Sequence, residues 1–170
     1  MVLGVSYGAV ASLIAAAEST EIAAVIGDGP FLTGKDVSED ISRHYLHDSR
    51  TNFWVRALFL GSSFPGVARA TALIYYFRTG IFLGPELLSV IPSASRIRVP
   101  VLLISGERDW IVPTARVRQV LAAISDNRKE LVVIPNAVHD TTYTAAPTLY
   151  ADTVLSFLGR NITSNGSPQN

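Results

Sequence analysis

Four short aliphatic segments alternate with helical patterns along the chain, and this alternation constrains the fold more than any other feature. The segments are Met1–Val5, Ala23–Ile26, Val101–Ser105 and Leu131–Ile134. The last three lack alternating polar residues, which predicts strands that are covered on both faces. Strands that are separated by helices pair in parallel through right-handed crossovers. The sequence therefore predicts an α/β fold with a parallel sheet of about four strands and flanking helices.

The chain length and the spacing of these segments predict the domain organisation. The 170 residues suit one domain. About seventy residues separate the second and third strands, and their helical, aromatic-rich pattern predicts an inserted helical cap over about residues 30–97. We expect the domain to span residues 1–158 and the polar residues 159–170 to form a disordered tail.

The charge balance and the absence of cysteine exclude several functions. Lys and Arg number 14, as do Asp and Glu, so the formal net charge is zero and no basic excess favours nucleic acid or an anionic membrane surface. Without cysteine, disulfides, cysteine-ligated metals and thiol chemistry are excluded. Neither feature fixes the cellular compartment.

The uncharged stretch from Met1 to Ala17 has an alternative interpretation as a signal peptide. Against it, no Lys or Arg lies near its start, and Gly4, Ser6, Tyr7 and Gly8 interrupt its apolar core. It is also shorter than the ~20 residues of a membrane-spanning helix. We therefore interpret it as a strand followed by a helix and predict no membrane segment.

Residues 4–8, Gly-Val-Ser-Tyr-Gly, match the pattern G-x-S-x-G where the first strand gives way to a helix. In this context the pattern predicts a nucleophile elbow, a tight turn that exposes the serine hydroxyl. Gly4 and Gly8 are expected to remove side chains that would clash in the turn. Ser6 is then the candidate nucleophile at the positive end of the helix dipole, and the backbone N–H of Tyr7 is a candidate oxyanion donor.

A serine hydroxyl needs a base to take its proton, and the base needs an acid to orient it. His139 follows the fourth strand by five residues and is the candidate base. Asp109 follows the third strand and is the candidate acid. Asp28, between two glycines after the second strand, is an alternative acid, although it also suits a turn.

The other two histidines, His44 and His47, lie three residues apart on a predicted cap helix near Asp48. The spacing imitates a metal-binding pair, but two histidines do not make a metal site. We interpret them as a solvated face of the cap and predict no metal and no cofactor.

Three segments, VLGVSYGAVASLIAAA, VPVLLISGERDWIVP and LVVIPNAVHD, resemble the carboxy-terminal half of an α/β-hydrolase fold serine hydrolase. A fourth, IAAVIGDGPF, is similar to bacterial esterase or peptidase-like members. The resemblance implies that Ser6 is the nucleophile, His139 the base and Asp109 the acid. It implies a small-molecule acyl substrate, either a carboxylic ester, a thioester or a small amide, attacked through an acyl-serine intermediate.

The sequence departs from this family's pattern at its start. The family's elbow strand is the fifth of eight, so four strands and the loop that gives the second oxyanion donor have no counterpart here. We expect the first strand to expose an unpaired edge, through which the chain could form a homo-oligomer. Two alternatives stay open, a truncated non-catalytic fragment that lacks the oxyanion loop and an acyltransferase with the same triad.

Overall fold

A computed structural model of the chain describes residues 1–47, 52, 54, 73–74, 77–78 and 89–162, except for the side chains of Ser38 and His47. Four strands and six helices lie within these residues. The strands are β1 (Val2–Val5), β2 (Val25–Asp28), β3 (Val101–Gly106) and β4 (Lys129–Ile134). The helices are α1 (Tyr7–Glu18), α2 (Gly34–His47), α3 (Ile91–Ala94), α4 (Thr114–Ala123), α5 (Thr142–Ala145) and α6 (Pro147–Asn161).

The four strands form one parallel sheet in the order β1-β2-β3-β4. This confirms the predicted α/β fold class and the predicted parallel pairing. Because the strands are parallel, their carboxyl ends meet at one edge of the sheet, and this edge carries all the residues of the candidate site.

Alternate residues of the central strands bury themselves on opposite faces of the sheet. In β3, Val101 and Leu103 pack in a core with apolar residues of α1 and α4. Leu102 and Ile104 pack on the other face with Tyr150 and Phe157 of α6. The sheet is therefore covered by helices on both faces at its centre, which explains why β3 is aliphatic throughout.

The two outer strands of the sheet are less buried than the two central strands. Every residue of β2 and β3 is buried, as expected, but β4 buries only Ile134 completely. The predicted cover on both faces of β4 is present but partial, since Leu131 packs against one core and Val132 against the other. β1 lies at the opposite edge, where Leu3 and Val5 are 43% and 41% exposed.

The predicted cap lies mostly outside the described residues. Within it, the structure describes α2, α3 and a few single residues, so the cap over residues 30–97 stays a prediction. Helix α6 continues to Asn161, so it includes the first three residues of the tail that was predicted to begin at residue 159. Residues 163–170 of that tail are not among those described. No helix in the described ranges combines the length and the apolar character that a membrane span requires.

Candidate active site

Ser6 occupies the turn between β1 and α1 with a backbone conformation that few residues adopt. Its φ is 52° and its ψ is −116°, so it lies in the positive-φ region that disfavours residues other than glycine. The turn is held by hydrogen bonds, since the Ser6 N–H donates to the Asp28 carbonyl at 2.7 Å and the Ser6 carbonyl accepts from the Ala9 N–H at 3.0 Å. The strained strand-to-helix turn predicted at this position is confirmed.

Only one of the two glycines that flank Ser6 is required by packing. A Cβ on Gly4 would overlap the backbone of Gly8 and Ala9, which cannot move without opening the turn. A Cβ on Gly8 would meet no described atom within 4 Å. The expectation that both glycines avoid a clash is correct for Gly4, and no described atom supports it for Gly8.

The structure brings the three predicted triad side chains together. The Ser6 hydroxyl oxygen lies 3.0 Å from Nε2 of His139, and Nδ1 of His139 lies 2.7 Å from Oδ2 of Asp109. The side chains of His139 and Asp109 are only 12% and 3% exposed. Residues that are 133 positions apart in sequence thus form one line of hydrogen bonds at the carboxyl edge of the sheet.

Asp109 is fixed by its own backbone as well as by His139. Its Oδ1 accepts the N–H groups of Ile111 at 2.9 Å and Val112 at 2.8 Å. The two carboxylate oxygens therefore divide their roles, since one orders the loop after β3 and the other faces the imidazole. A carboxylate that is held in this way can orient the ring of His139 with little freedom of its own.

The loops after β3 and β4 are tied to each other. The Glu107 carboxylate accepts the N–H of Asn136 at 2.9 Å, and the Arg108 N–H donates to the Ala137 carbonyl at 2.8 Å. A Cβ on Gly106 would lie 2.6 Å from that same carbonyl oxygen, so the close approach of the two loops requires glycine there. These contacts set the separation between the loop of Asp109 and the loop of His139.

The Asp109 carboxylate raises the pKa of His139 above its ordinary value of 6.5, because its hydrogen bond favours the charged imidazolium. Burial of the ring acts in the opposite direction and does not cancel the effect. The carboxylates of Asp140 and Asp28 add to the rise. Asp140 is exposed, and its Oδ1 lies 3.5 Å from Nε2 of His139.

Asp28, the alternative acid, binds other partners. Its carboxylate is buried, accepts the hydroxyl of Thr142 and has the phenol of Tyr150 as a second hydrogen-bond partner. Burial raises the pKa of Asp28 and, with the nearby Asp28 charge, raises the pKa of Tyr150 to about 12. Because Asp109 occupies Nδ1 of His139, the geometry favours Asp109 over Asp28 as the orienting acid.

Gly29 forms the surface beneath the imidazole. Its φ is 62°, a conformation that favours glycine, and a Cβ there would lie 3.6 Å from Cε1 of His139 and 3.9 Å from Oδ2 of Asp109. The Gly29 N–H donates to the Ile104 carbonyl at 2.9 Å, which anchors this backbone to β3. The sequence offered a signal for this position only through the glycines on either side of Asp28.

Tyr7 is the first residue of α1, so its N–H is one of the four at the helix start that have no acceptor inside the helix. This N–H is the predicted oxyanion donor. The ring of Tyr7 is half exposed and packs edge-on against Phe31, with the ring centroids 5.1 Å apart.

His44 is partly buried, so the solvated face that was predicted for it is covered in part. Its ring stacks on Trp110, the residue after Asp109, with centroids 3.9 Å apart and planes 16° from parallel. The side chain of His47 is outside the described set. Across the described ranges, no group of three or more residues is arranged to hold a metal ion.

Arg116 holds α2 against α4. From α4, it donates to the buried carboxylate of Asp40 at 2.8 Å and forms an ion pair with Asp36 at 3.2 Å. The Asp40 carboxylate raises the pKa of Arg116 through that hydrogen bond. Together with the stacking of His44 on Trp110, this contact places α2 beside the loop of Asp109. The sequence shows these residues only as ordinary charges on two helical patterns.

The family model described as serine aminopeptidase, S33, matches residues 78–144. This is less than half of the chain, and it includes Asp109 and His139 but not Ser6. No curated protein matches the chain in sequence.

Solved structures of several hydrolases are similar to the chain. An esterase from Pyrococcus furiosus superimposes with a TM-score of 0.66 at 22% identity, covering 94% of this chain and 52% of the esterase. MGS-M2, an α/β hydrolase enzyme from a Medee basin deep-sea metagenome, superimposes with a TM-score of 0.58 at 23% identity, covering 92% of this chain and 64% of MGS-M2. The α/β hydrolase GrgF from Penicillium sp. sh18 superimposes with a TM-score of 0.58 at 19% identity, covering 95% of this chain and 63% of GrgF.

The chain thus spans about half the length of the esterase that it matches. Superpositions at identities below 25% show a shared fold, and a shared fold does not by itself assign an activity. The parallel sheet, the helices on both of its faces and these structural similarities show that the chain has a partial α/β-hydrolase fold.

Proposed function

We propose that this chain carries the catalytic residues of a serine hydrolase that acts on a carboxylic ester, a thioester or a small amide. The observation that supports this most directly is the unbroken line of hydrogen-bonding contacts from Ser6 through His139 to Asp109, at 3.0 and 2.7 Å. The hydrolases among the similar structures, and the partial match to the serine aminopeptidase family, support the same general class.

In the proposed mechanism, Nε2 of His139 takes the hydroxyl proton of Ser6 while the serine oxygen attacks the carbonyl carbon of the substrate. Asp109 keeps the proton on Nδ1 and stabilises the imidazolium that forms. Nε2 then returns the proton to the leaving group, and the ester bond to Ser6 remains. Nε2 then takes a proton from a water molecule, whose oxygen attacks the acyl carbon. The bond to Ser6 breaks as Nε2 returns this proton to the serine oxygen, and the acid is released.

The charge on the carbonyl oxygen develops during both attacks, and the N–H of Tyr7 is its proposed donor. Removing one such donor costs about 10²–10³ in turnover in serine hydrolases. A hydrolase and an acyltransferase share every step up to the acyl-serine, so only the acceptor that releases the acyl group distinguishes them.

The test is labelling of the full 170-residue chain with a fluorophosphonate, which reacts with an activated serine hydroxyl. We expect one label on Ser6, located by mass spectrometry of the digested protein. Ser6→Ala should abolish labelling, and Ser156→Ala, which changes an exposed serine of α6, should leave it intact. Asp109→Asn should lower the labelling rate by about 10⁴, because the imidazole loses its orienting carboxylate.

A folded wild-type chain that takes up no label, or takes it up on another serine, would contradict the proposal. If Ser6 is labelled, an acyl ester substrate then distinguishes the two chemistries. Release of the free acid in water supports the hydrolase. Release only with an added alcohol or thiol acceptor supports the acyltransferase.

A further inference from the structure

A carboxyl group that takes no direct part in the triad is buried beneath it. Asp28 ends β2 and is 4% exposed. Burying a carboxylate is costly unless it is hydrogen-bonded, and here the partners are the hydroxyls of Thr142 and Tyr150. Both partners come from the chain that follows His139, so the carboxyl joins the end of β2 to the segment that carries the imidazole.

The loop of His139 is tied at its start to the loop after β3, through Asn136 and Ala137, and is closed at its end by hydrogen bonds within itself. The Val138 N–H donates to Oγ1 of Thr141 at 2.9 Å, and the Thr141 N–H donates to the Val138 carbonyl at 3.2 Å. Asp140, between His139 and Thr141, has a φ of 59°. These bonds shape the loop, whereas the bond from Thr142 to Asp28 attaches its far end to the sheet.

The main chain of Asp28 also contacts the candidate nucleophile. The Asp28 carbonyl accepts the N–H of Ser6 at 2.7 Å, and the next residue, Gly29, lies close to the ring of His139. Asp28 therefore contacts the backbone of the candidate nucleophile and the loop of the candidate base at once. No other residue described here bonds to both.

We propose that Asp28 is a positioning residue for His139. The carboxylate of Asp28 accepts the hydroxyl of Thr142, and this hydrogen bond fixes the loop that holds the imidazole next to Ser6. Asp28 is not a second orienting acid, because Asp109 occupies Nδ1. The catalytic consequence of this inference rests on the proposed function, whereas the effect on His139 itself does not.

The sign of the expected effect follows from the charges that face His139. These are Asp109 from the loop after β3, Asp28 from the end of β2 and Asp140 from its own loop, and each raises the pKa of the imidazole. Asp28→Asn removes one of these charges and should lower the pKa of His139.

Thr142→Val has the same expected sign for two reasons. The hydroxyl of Thr142 favours the ionised form of Asp28, so its loss reduces the charge beneath His139. A loosened loop also weakens the contact between Nδ1 and Asp109, which is the largest cause of the raised pKa.

The first experiment is an NMR titration of the histidine rings in the full chain, which contains three histidines. The His139 signal is identified by its loss in His139→Asn. We expect a lower pKa of His139 in Asp28→Asn and Thr142→Val and the wild-type value in Thr142→Ser, which keeps the donor. Asp152→Asn, an exposed carboxylate of α6, is the matched control and should change nothing.

The second experiment measures the fluorophosphonate labelling rate of the same variants. Thr142→Val should slow it about tenfold through misplacement of the base, and Thr142→Ser should restore it. If the wild type takes no label, the proposed function fails and the titration alone decides the inference. A folded Thr142→Val protein whose His139 keeps the wild-type pKa would overturn the inference, even if Asp28→Asn fails to fold.

Discussion

In the proposed mechanism His139 accepts the proton of Ser6 only when its ring is neutral, so the carboxylate of Asp109 should also affect the pH at which Ser6 reacts. Asp109 raises the pKa of His139 above 6.5, and deprotonation is therefore delayed to higher pH. We expect the labelling rate of Ser6 to rise with pH through a midpoint above 6.5, as measured by fluorophosphonate reaction from pH 5 to 9.

Asp140→Asn is a second test of how the carboxylates around His139 affect this pH profile. It removes an exposed carboxylate 3.5 Å from Nε2 without touching the bond to Asp109. The midpoint should move to lower pH, because the imidazolium loses one favourable charge. A wild-type midpoint at or below 6.5 would mean that burial of the ring, rather than the carboxylates, dominates its pKa.

The sequence predicts that the candidate triad residues meet at the ends of the strands. It does not predict the residues that contact and support them. Ser6, Asp109 and His139 each follow a strand, and the carboxyl ends of parallel strands share one edge, so topology alone predicts that they converge. Thr142 reaches Asp28 over 114 positions, a contact that leaves no local pattern. His44 likewise needs the docking of α2 before it can meet Trp110.

At the scale of elements, the connection from β1 to α1 depends on one glycine rather than two. Gly4→Ala places a Cβ inside the backbone of the first turn of α1, so we expect the free energy of unfolding to fall by about 2–3 kcal/mol. Labelling of Ser6 should fall with it, since the elbow must open to accept the methyl group. Urea denaturation and the labelling rate measure the two effects.

Gly8→Ala is the matched control within the same five-residue motif. It lies in the helix, meets open space among the described residues and lacks a positive φ. Because alanine restricts the unfolded chain, we expect the free energy of unfolding to rise by roughly 0.5–1 kcal/mol. Equal destabilisation by both substitutions would contradict this account of the elbow.

Element boundaries were less predictable than element types, for physical reasons. β2 extends to Gly27 and Asp28, which have low strand propensity, because Val25 to Asp28 pair in register with Val101 to Ile104. β4 begins at Lys129 and Glu130, whose charges suit the edge of a sheet. In both strands the partner strand, rather than local preference, sets the length.

At the scale of the whole molecule, β1 is the least covered part of the described sheet. Among the described residues it pairs only with β2, on one side, and its side chains Leu3 and Val5 are exposed. Such an edge is a template for pairing with another strand.

We expect the full chain to associate with itself through β1 in the absence of another partner. Sedimentation equilibrium should give a weight-average mass that rises with concentration above the 18.3 kDa of one chain. Leu3→Lys should keep the mass near that value, because a second strand would have to pack against the added charge. Leu155→Lys changes an equally apolar, 66% exposed residue on α6 and should associate like the wild type. A wild type that stays monomeric, or a Leu3→Lys variant that associates equally, would show that β1 is not the contact.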